Sequence, residues 1–239
     1  MTAPSALAAR LEQVSSRYSL PAGADTRLAA LLRLVEAEPS AITTVRDPID
    51  GADLHVADSL VALDVPAVRA ARRVADLGSG GGFPGLALAI ALPEARVALV
   101  ESVGRKCAFL ARAADELGLG NVEVVNARAE AWGEGLGAHD VVVARALAAL
   151  PVLVEYAAPL LSPGGVLVAW KGRLETEEEA DGRAAAEALG MSAPQASTVQ
   201  PFEGAQHRYL YLSSKVSSTP ARYPRRPGMA RKRPIRASG

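Results

Sequence analysis

The sequence predicts an α/β protein built on a doubly wound, mostly parallel sheet, with a helical N-terminal extension and a basic C-terminal tail. Three observations carry that expectation. From residue 73 onward, short apolar segments alternate with helical stretches of about a dozen residues, the pattern of a parallel sheet covered on both faces. The first apolar segment runs directly into a glycine-rich turn, Gly78-Ser-Gly-Gly-Gly-Phe-Pro-Gly85. The stretch over 1–70 carries no strand signal, which makes it the extension, with the sheet domain over 71–213 and the tail over 214–239.

Each element has its own signature. The chain up to about residue 40 reads as helix, because Leu28, Leu31, Leu32 and Val35 share one face at spacings of three and four. Pro39 and Ser40 end it. A loop through Asp47, Pro48, Asp50 and Gly51 follows, and 53–63 reads as helix again. The first strand lies in 72–77, and the Leu-Ala-Leu-Ala-Ile-Ala-Leu run at 86–92 is the helix after it. Strands at 95–102, 121–127, 139–147 and 164–172 follow in turn. Helices fall between them: 105–118, closed by Gly118 and Gly120, and 151–161, ended by Pro163 and two glycines. A polar helix over 175–190 faces solvent, and 207–214 is a late strand. The end of the chain, rich in Pro, Ser and Arg, is expected to be a partly ordered tail.

Composition narrows the function classes. The chain is 49% hydrophobic and 22% charged, ordinary for a globular protein. No apolar run reaches the roughly 18 to 20 residues of a membrane span, and Arg10, Glu12 and Arg17 stand where a signal peptide needs an apolar core. A single cysteine, Cys107, permits no internal disulfide. A cytoplasmic protein with no membrane partner and no metal set is expected, and a monomer. The formal charge of zero hides an asymmetry: no acidic residue follows Glu203, while nine Lys and Arg do, Arg208 and Lys215 among them. An acidic body with a basic tail points to a polyanionic partner at the tail. There Arg222, Arg225, Arg226, Arg231, Lys232 and Arg233, with Tyr223 among them, have the composition for phosphate contact and base stacking. A merely solvated tail is the alternative.

The glycine turn is the most informative segment. Glycines let the backbone turn off a strand and approach a ligand without a clashing Cβ. Read literally, Gly80-x-Gly82-x-x-Gly85 also matches a dinucleotide fingerprint, with Glu101 at the end of the next strand to hold a ribose. Two details favour S-adenosyl-L-methionine over a nicotinamide. Asp76 stands just before Leu77-Gly78-Ser79-Gly80, where a carboxylate and bare backbone can meet the cofactor's amino-acid end. Pro84 removes one N–H that a pyrophosphate would use. Glu130, in Ala129-Glu130 after the third strand, falls where adenine would sit, or is a solvated helix-start acid.

At these residues the sequence resembles the ribosomal RNA small subunit methyltransferase G family, also called the glucose-inhibited division protein B family. The matching pieces are His55-Val-Ala-Asp58-Ser59-Leu60, Asp76 through Gly85, Leu99-Val-Glu101-Ser102 with Arg105-Lys106, and Asn121-Val-Glu-Val-Val125. To these are added Arg128-Ala-Glu130, Val143-Ala-Arg145-Ala-Leu147, Lys171-Gly172 and Arg226-Pro-Gly228. The likeness runs through nearly the whole chain in order, except that Val35-Glu-Ala-Glu-Pro and Ala41-Ile-Thr-Thr replace the family's tryptophan and asparagine pattern. The resemblance implies a Rossmann-like class I methyltransferase that methylates N7 of one guanine in 16S ribosomal RNA, near the decoding site, with 16S rRNA or the 30S subunit as partner. It implies that Gly78, Phe83, Glu101, Ser102, Val103, Ala129, Glu130 and Arg145 line the cofactor pocket.

The chemistry asks little of side chains. Guanine N7 already carries an exposed lone pair, so no base must remove a proton, and catalysis is positioning. Arg145, at the end of the fourth strand, is the candidate catalytic residue: its guanidinium could pair with guanine O6 or a phosphate, or instead with Glu130 or Asp58. Lys171 could contact RNA phosphate or be an exposed loop lysine. His55 and Asp58 could border the mouth or form a core pair. Cys107, inside a helix, reads as packing. The competing classes are a methyltransferase for another substrate, a nicotinamide oxidoreductase relying on His139 or His207, and a non-catalytic RNA-binding module, which would leave Asp76 and Glu101 without a role.

Overall fold

In the computed structural model, residues 5–40, 42–172 and 175–237 are described. Ala41, at the departure from the family pattern, and the ends of the expected extension and tail lie outside them. The helical start is two helices rather than one: α1 (Ala6–Tyr18) and α2 (Ala24–Ala37). Ser19 takes a left-handed φ of 52° and Gly23 one of 77°, which turns the chain back on itself. The second helical stretch is segmented. It begins as α3 (Pro48–Gly51), capped by the Asp47 carboxylate on the Ile49 and Asp50 amides. A π-helical turn (Ala52–Ala57), α4 (Asp58–Leu60) and a 3-10 turn (Val61–Asp64) follow, then α5 (Pro66–Arg69).

Among the described residues seven strands form one sheet in the order β3-β2-β1-β4-β5-β7-β6. The strands β1 (Arg73–Leu77), β2 (Arg96–Glu101), β3 (Val122–Asn126), β4 (His139–Arg145) and β5 (Leu161–Lys171) are parallel. β7 (Tyr209–Ser214) runs antiparallel to β5 and to β6 (Gln195–Thr198). The helices between them are α6 (Gly85–Ala91), α7 (Gly104–Glu116), α8 (Leu150–Ala157) and α9 (Thr176–Leu189). The doubly wound expectation therefore holds, and the order reverses between β1 and β4, where ligands settle beyond the carboxyl ends.

Two boundaries differ from expectation. β5 begins at Leu161, so Pro163, Gly164 and Gly165 lie inside a strand. The register slips between His139 and Val141 opposite them, and at such an irregularity a proline's missing N–H costs no ladder bond. β6 escapes sequence reading because all four of its residues are exposed, leaving no apolar alternation.

Alternation within the strands builds two cores. Val74, Val97, Leu99, Val141 and Val143 face a cluster shared with α1, α2, α6 and α7. Ala75, Leu77, Val100, Val142 and Ala144 face a second cluster with α8, α9 and Trp132. The extension thus packs on one sheet face. The tail is not loose: its short helix α10 (Met229–Lys232) buries Ala230 in the second core.

Candidate active site

A cavity of about 420 Å³ opens at the carboxyl ends of the parallel strands. Of the expected cofactor residues, Gly78, Glu101, Ser102, Ala129 and Glu130 line it. Gly78 takes a φ of +70°, which any side chain would strain, and a Cβ there would press on the Leu147 side chain, 2.6 Å from Cδ1. Gly80 also needs a positive φ, +55°. Its N–H donates to Glu101 Oε2 at 3.1 Å, while Oε1 accepts the Val103 N–H at 2.8 Å. One buried carboxylate at the end of β2 therefore fixes both the glycine loop and the turn into α7.

Asp76, Gly80, Phe83, Val103 and Arg145 do not line the cavity. Asp76 lies beneath the loop, 1% exposed, with Oδ2 accepting the Gly85 N–H at 3.0 Å. It caps the entry to α6 rather than facing the cavity. A side chain at Gly85 would collide with it, since a Cβ would come 2.5 Å from Oδ2. Its Oδ1 is buried without a hydrogen-bond partner among the described residues, and burial pushes its carboxyl up to about 7.

Arg145 and Phe83 belong to a second cluster, where the extension meets the glycine loop. Arg145 Nη1 donates to Asp58 Oδ2 at 2.9 Å and to the Leu54 carbonyl at 3.2 Å. Of the two expected pairings, Asp58 rather than Glu130 holds it. Arg208 Nε lies 3.3 Å from Asp58 Oδ1, and the Trp170 indole N–H donates to the Asp58 carbonyl at 2.7 Å. His55 stacks on Phe83 with centroids 4.5 Å apart and planes within 9°, and the Arg145 guanidinium lies 5.9 Å from the same ring. His55 Nε2 sits 2.9 Å from the Val45 carbonyl, so that nitrogen carries the hydrogen and Nδ1 is left to accept, 3.4 Å from Arg145 Nη2. Burial holds the imidazole below its usual range and hence neutral.

The cationic candidates divide. Lys171 is neither exposed nor free: its Nζ donates to Glu178 Oε1 at 2.7 Å and to the Ala148 carbonyl at 2.9 Å. Arg225 is locked on the buried Glu155, with Nε 2.6 Å from Oε1. Arg231 stands at the rim of the cavity. Arg222, Arg226, Lys232 and Arg233 are exposed and carry no ion pair among the described residues. Cys107 is buried, its thiol against the Glu101 carbonyl at 3.2 Å.

The cavity also contains residues that sequence reading did not assign to a cofactor: Lys106, Ala127, Arg128, Leu147, Tyr156 and Arg231. Arg128, Leu147 and Lys106 were within reach, because they flank Glu130, Arg145 and Ser102 in the motifs. Tyr156, in the middle of α8, and Arg231, in the tail, carry no local signal. Among the described residues no group of three or more His, Cys, Asp or Glu could hold a metal, and no helix is long and apolar enough to cross a membrane.

The family model described as rRNA small subunit methyltransferase G matches residues 28–207. A Rubrobacter xylanophilus protein named ribosomal RNA small subunit methyltransferase G is 48% identical over 191 residues, 77% of this chain and 73% of its own length. A protein of the same name from Desulfitobacterium hafniense is 39% identical, covering 85% of each chain. One from Deinococcus radiodurans is 42% identical over 87% of this chain and 83% of its own. Among solved structures, the S-adenosylmethionine-dependent methyltransferase SibL superposes with a TM-score of 0.57 at 17% identity, over 88% of this chain and 70% of that one. A Thermotoga maritima O-methyltransferase gives 0.53 at 15% identity, over 75% and 72%. These two speak for the fold alone.

Proposed function

Because the chain belongs to the rRNA small subunit methyltransferase G family, we propose that it transfers a methyl group from S-adenosyl-L-methionine to N7 of a guanine in 16S ribosomal RNA, acting in the cytoplasm on the 30S particle or its RNA. The observation that carries the reading is the cavity at the switch point, with Glu101, Gly78 and Ala129-Glu130 in its wall. Glu101 presents a carboxylate that two ribose hydroxyls can donate to. Gly78 leaves its part of that wall without a Cβ. Beneath the loop, the unpartnered Asp76 Oδ1 suits a cation, since a positive charge drawn near would restore the ionised form that burial disfavours. When bound, S-adenosyl-L-methionine supplies an electrophilic methyl on a sulfonium.

The residues of the second cluster fit the acceptor side. Phe83 and His55 are parallel rings beside the glycine loop. Arg145, Arg208 and Asp58 offer donors and an acceptor suited to a purine edge or a phosphate. A neutral His55, its one N–H held by the Val45 carbonyl, does not compete for the N7 lone pair as an imidazolium would, and no general base is required for an atom that already has its lone pair. Orientation by these groups is then the whole of the protein's contribution.

The test has two parts. Titration calorimetry should detect S-adenosyl-L-methionine and not NAD. The protein should also methylate 30S particles isolated from cells lacking the gene, with the product mapped by borohydride and aniline cleavage at 7-methylguanine. Transfer to a different atom, or to protein only, would overturn the proposal.

A further inference from the structure

The tail does something its composition does not suggest. Gly228, just before α10, donates its N–H to Glu130 Oε1 at 2.8 Å, and Arg231 Nη2 donates to the Leu147 carbonyl at 2.9 Å. Glu130 follows β3 and Leu147 follows β4, and both line the cavity. Two tail groups therefore hold the two loops that form its far wall. The segment is anchored at three further points: Arg225 on the buried Glu155, Ala230 in the core, and Ala237 N–H on Asp181 Oδ1 at 2.8 Å. A solvated appendage would need none of these contacts.

We propose that residues 225–237 form a wall of the cofactor cavity and that Arg231 is a cofactor-binding residue carried by the tail. The inference rests on the reading of that cavity as the S-adenosyl-L-methionine site. Its chemistry is complementary to a purine. Glu130 has a second carboxylate oxygen to accept from an exocyclic amino group, and Arg231 has donors for ring nitrogens and a flat cation for the ring face. Glu101, opposite, takes the ribose.

The experiment uses the full chain and S-adenosylhomocysteine, so no turnover is needed. Calorimetry on Arg231→Ala should give an affinity about fivefold or more weaker, the loss of a charged hydrogen-bond donor at a half-open site. Arg226→Ala, an exposed tail cation of equal charge, should bind within about twofold of wild type. In parallel, hydrogen exchange of the unaltered protein should slow at the amides of 225–237, Gly228 above all, when S-adenosylhomocysteine is added. Protection of Gly78 to Gly80 and Val103 with unchanged exchange in 225–237, or equal affinities for the two variants, would refute the wall while leaving the cavity assignment standing. Failure of the wild-type protein to bind S-adenosylhomocysteine would remove the cavity assignment and the inference with it.

Discussion

Replacing Glu101 by alanine is the sharpest single perturbation of the cavity. The carboxylate accepts the Gly80 N–H at 3.1 Å and the Val103 N–H at 2.8 Å while facing the cavity. Hydrogen bonds to a charged group contribute about 1.5 to 3 kcal/mol; Val103 is exposed and Gly80 half-buried, so the released N–H groups reach water, which reduces the loss. A net weakening of S-adenosyl-L-methionine binding by about 1 to 3 kcal/mol is expected, roughly 5- to 150-fold. Because the same residue holds the glycine loop, affinity alone does not separate a ribose contact from a positioning effect. A thermodynamic cycle with S-adenosylhomocysteine and its 2′-deoxy analogue does. If the carboxylate holds the ribose, the analogue's penalty shrinks in Glu101→Ala, and the two losses are not additive. Additive losses would refute the ribose contact and leave Glu101 as a support for the loop.

Three further outcomes are expected. Arg145→Ala leaves the carboxylate of Asp58 with only the looser Arg208, so stability should fall by about 2 to 3 kcal/mol in urea denaturation. Methyl transfer should be lost while S-adenosyl-L-methionine affinity changes little; the reverse pattern would move Arg145 to the cofactor. Asp76, with its carboxyl raised to about 7 in the folded protein, holds a proton that the unfolded chain has released between about pH 4 and 7. Wild-type stability relative to Asp76→Asn should therefore fall as pH rises through that window, by at most about 1.4 kcal/mol per unit, and stay flat above it; a pH-independent difference would contradict the shift. Finally, the salt dependence of RNA binding should have a slope near 3, four unpaired tail cations at about 0.7 each, rather than the 6 or so of nine.

What sequence reading could reach follows the range of the interactions involved. The inner parallel strands are legible because a strand buried on both faces needs a nearly unbroken apolar run, and Val97 through Val100 or Val141 through Ala144 can satisfy that need locally; the edge strand β3 shows instead the partial alternation of Val122-Glu-Val-Val. The glycine loop and Glu101 are legible because conformation and spacing at the end of a strand are local properties. Asp76 is legible as a residue of the loop, but its hydrogen-bond partner, the Gly85 N–H, is not. Its position before the loop makes it equally suited to cap α6, and only the fold decides between a ligand in front and an amide behind. The Arg145–Asp58 pair joins residues 87 apart, and no local pattern distinguishes Asp58 from Glu130 as the partner.

The tail shows the same limit in its charge. Nine cations without an acid read as a free polyanion-binding arm only if the acids elsewhere are out of reach. Here helices α4, α8 and α9 supply them. Arg225 meets Glu155, Arg236 meets Glu177 and Asp181, and Arg208 meets Asp58. Lys215 buries its Nζ against the Ala158 carbonyl at 2.8 Å. An acidic body and a basic tail attract each other before either meets RNA, and within one chain their effective concentration is fixed and high. The asymmetry that suggests an RNA-binding arm is therefore also what folds that arm back onto the body. The cations left over, Arg222, Arg226, Lys232 and Arg233, are then exposed on an ordered segment of the chain. An RNA phosphate contacting them would meet donors positioned relative to Glu101 and Arg145, so tail and site would act as one surface.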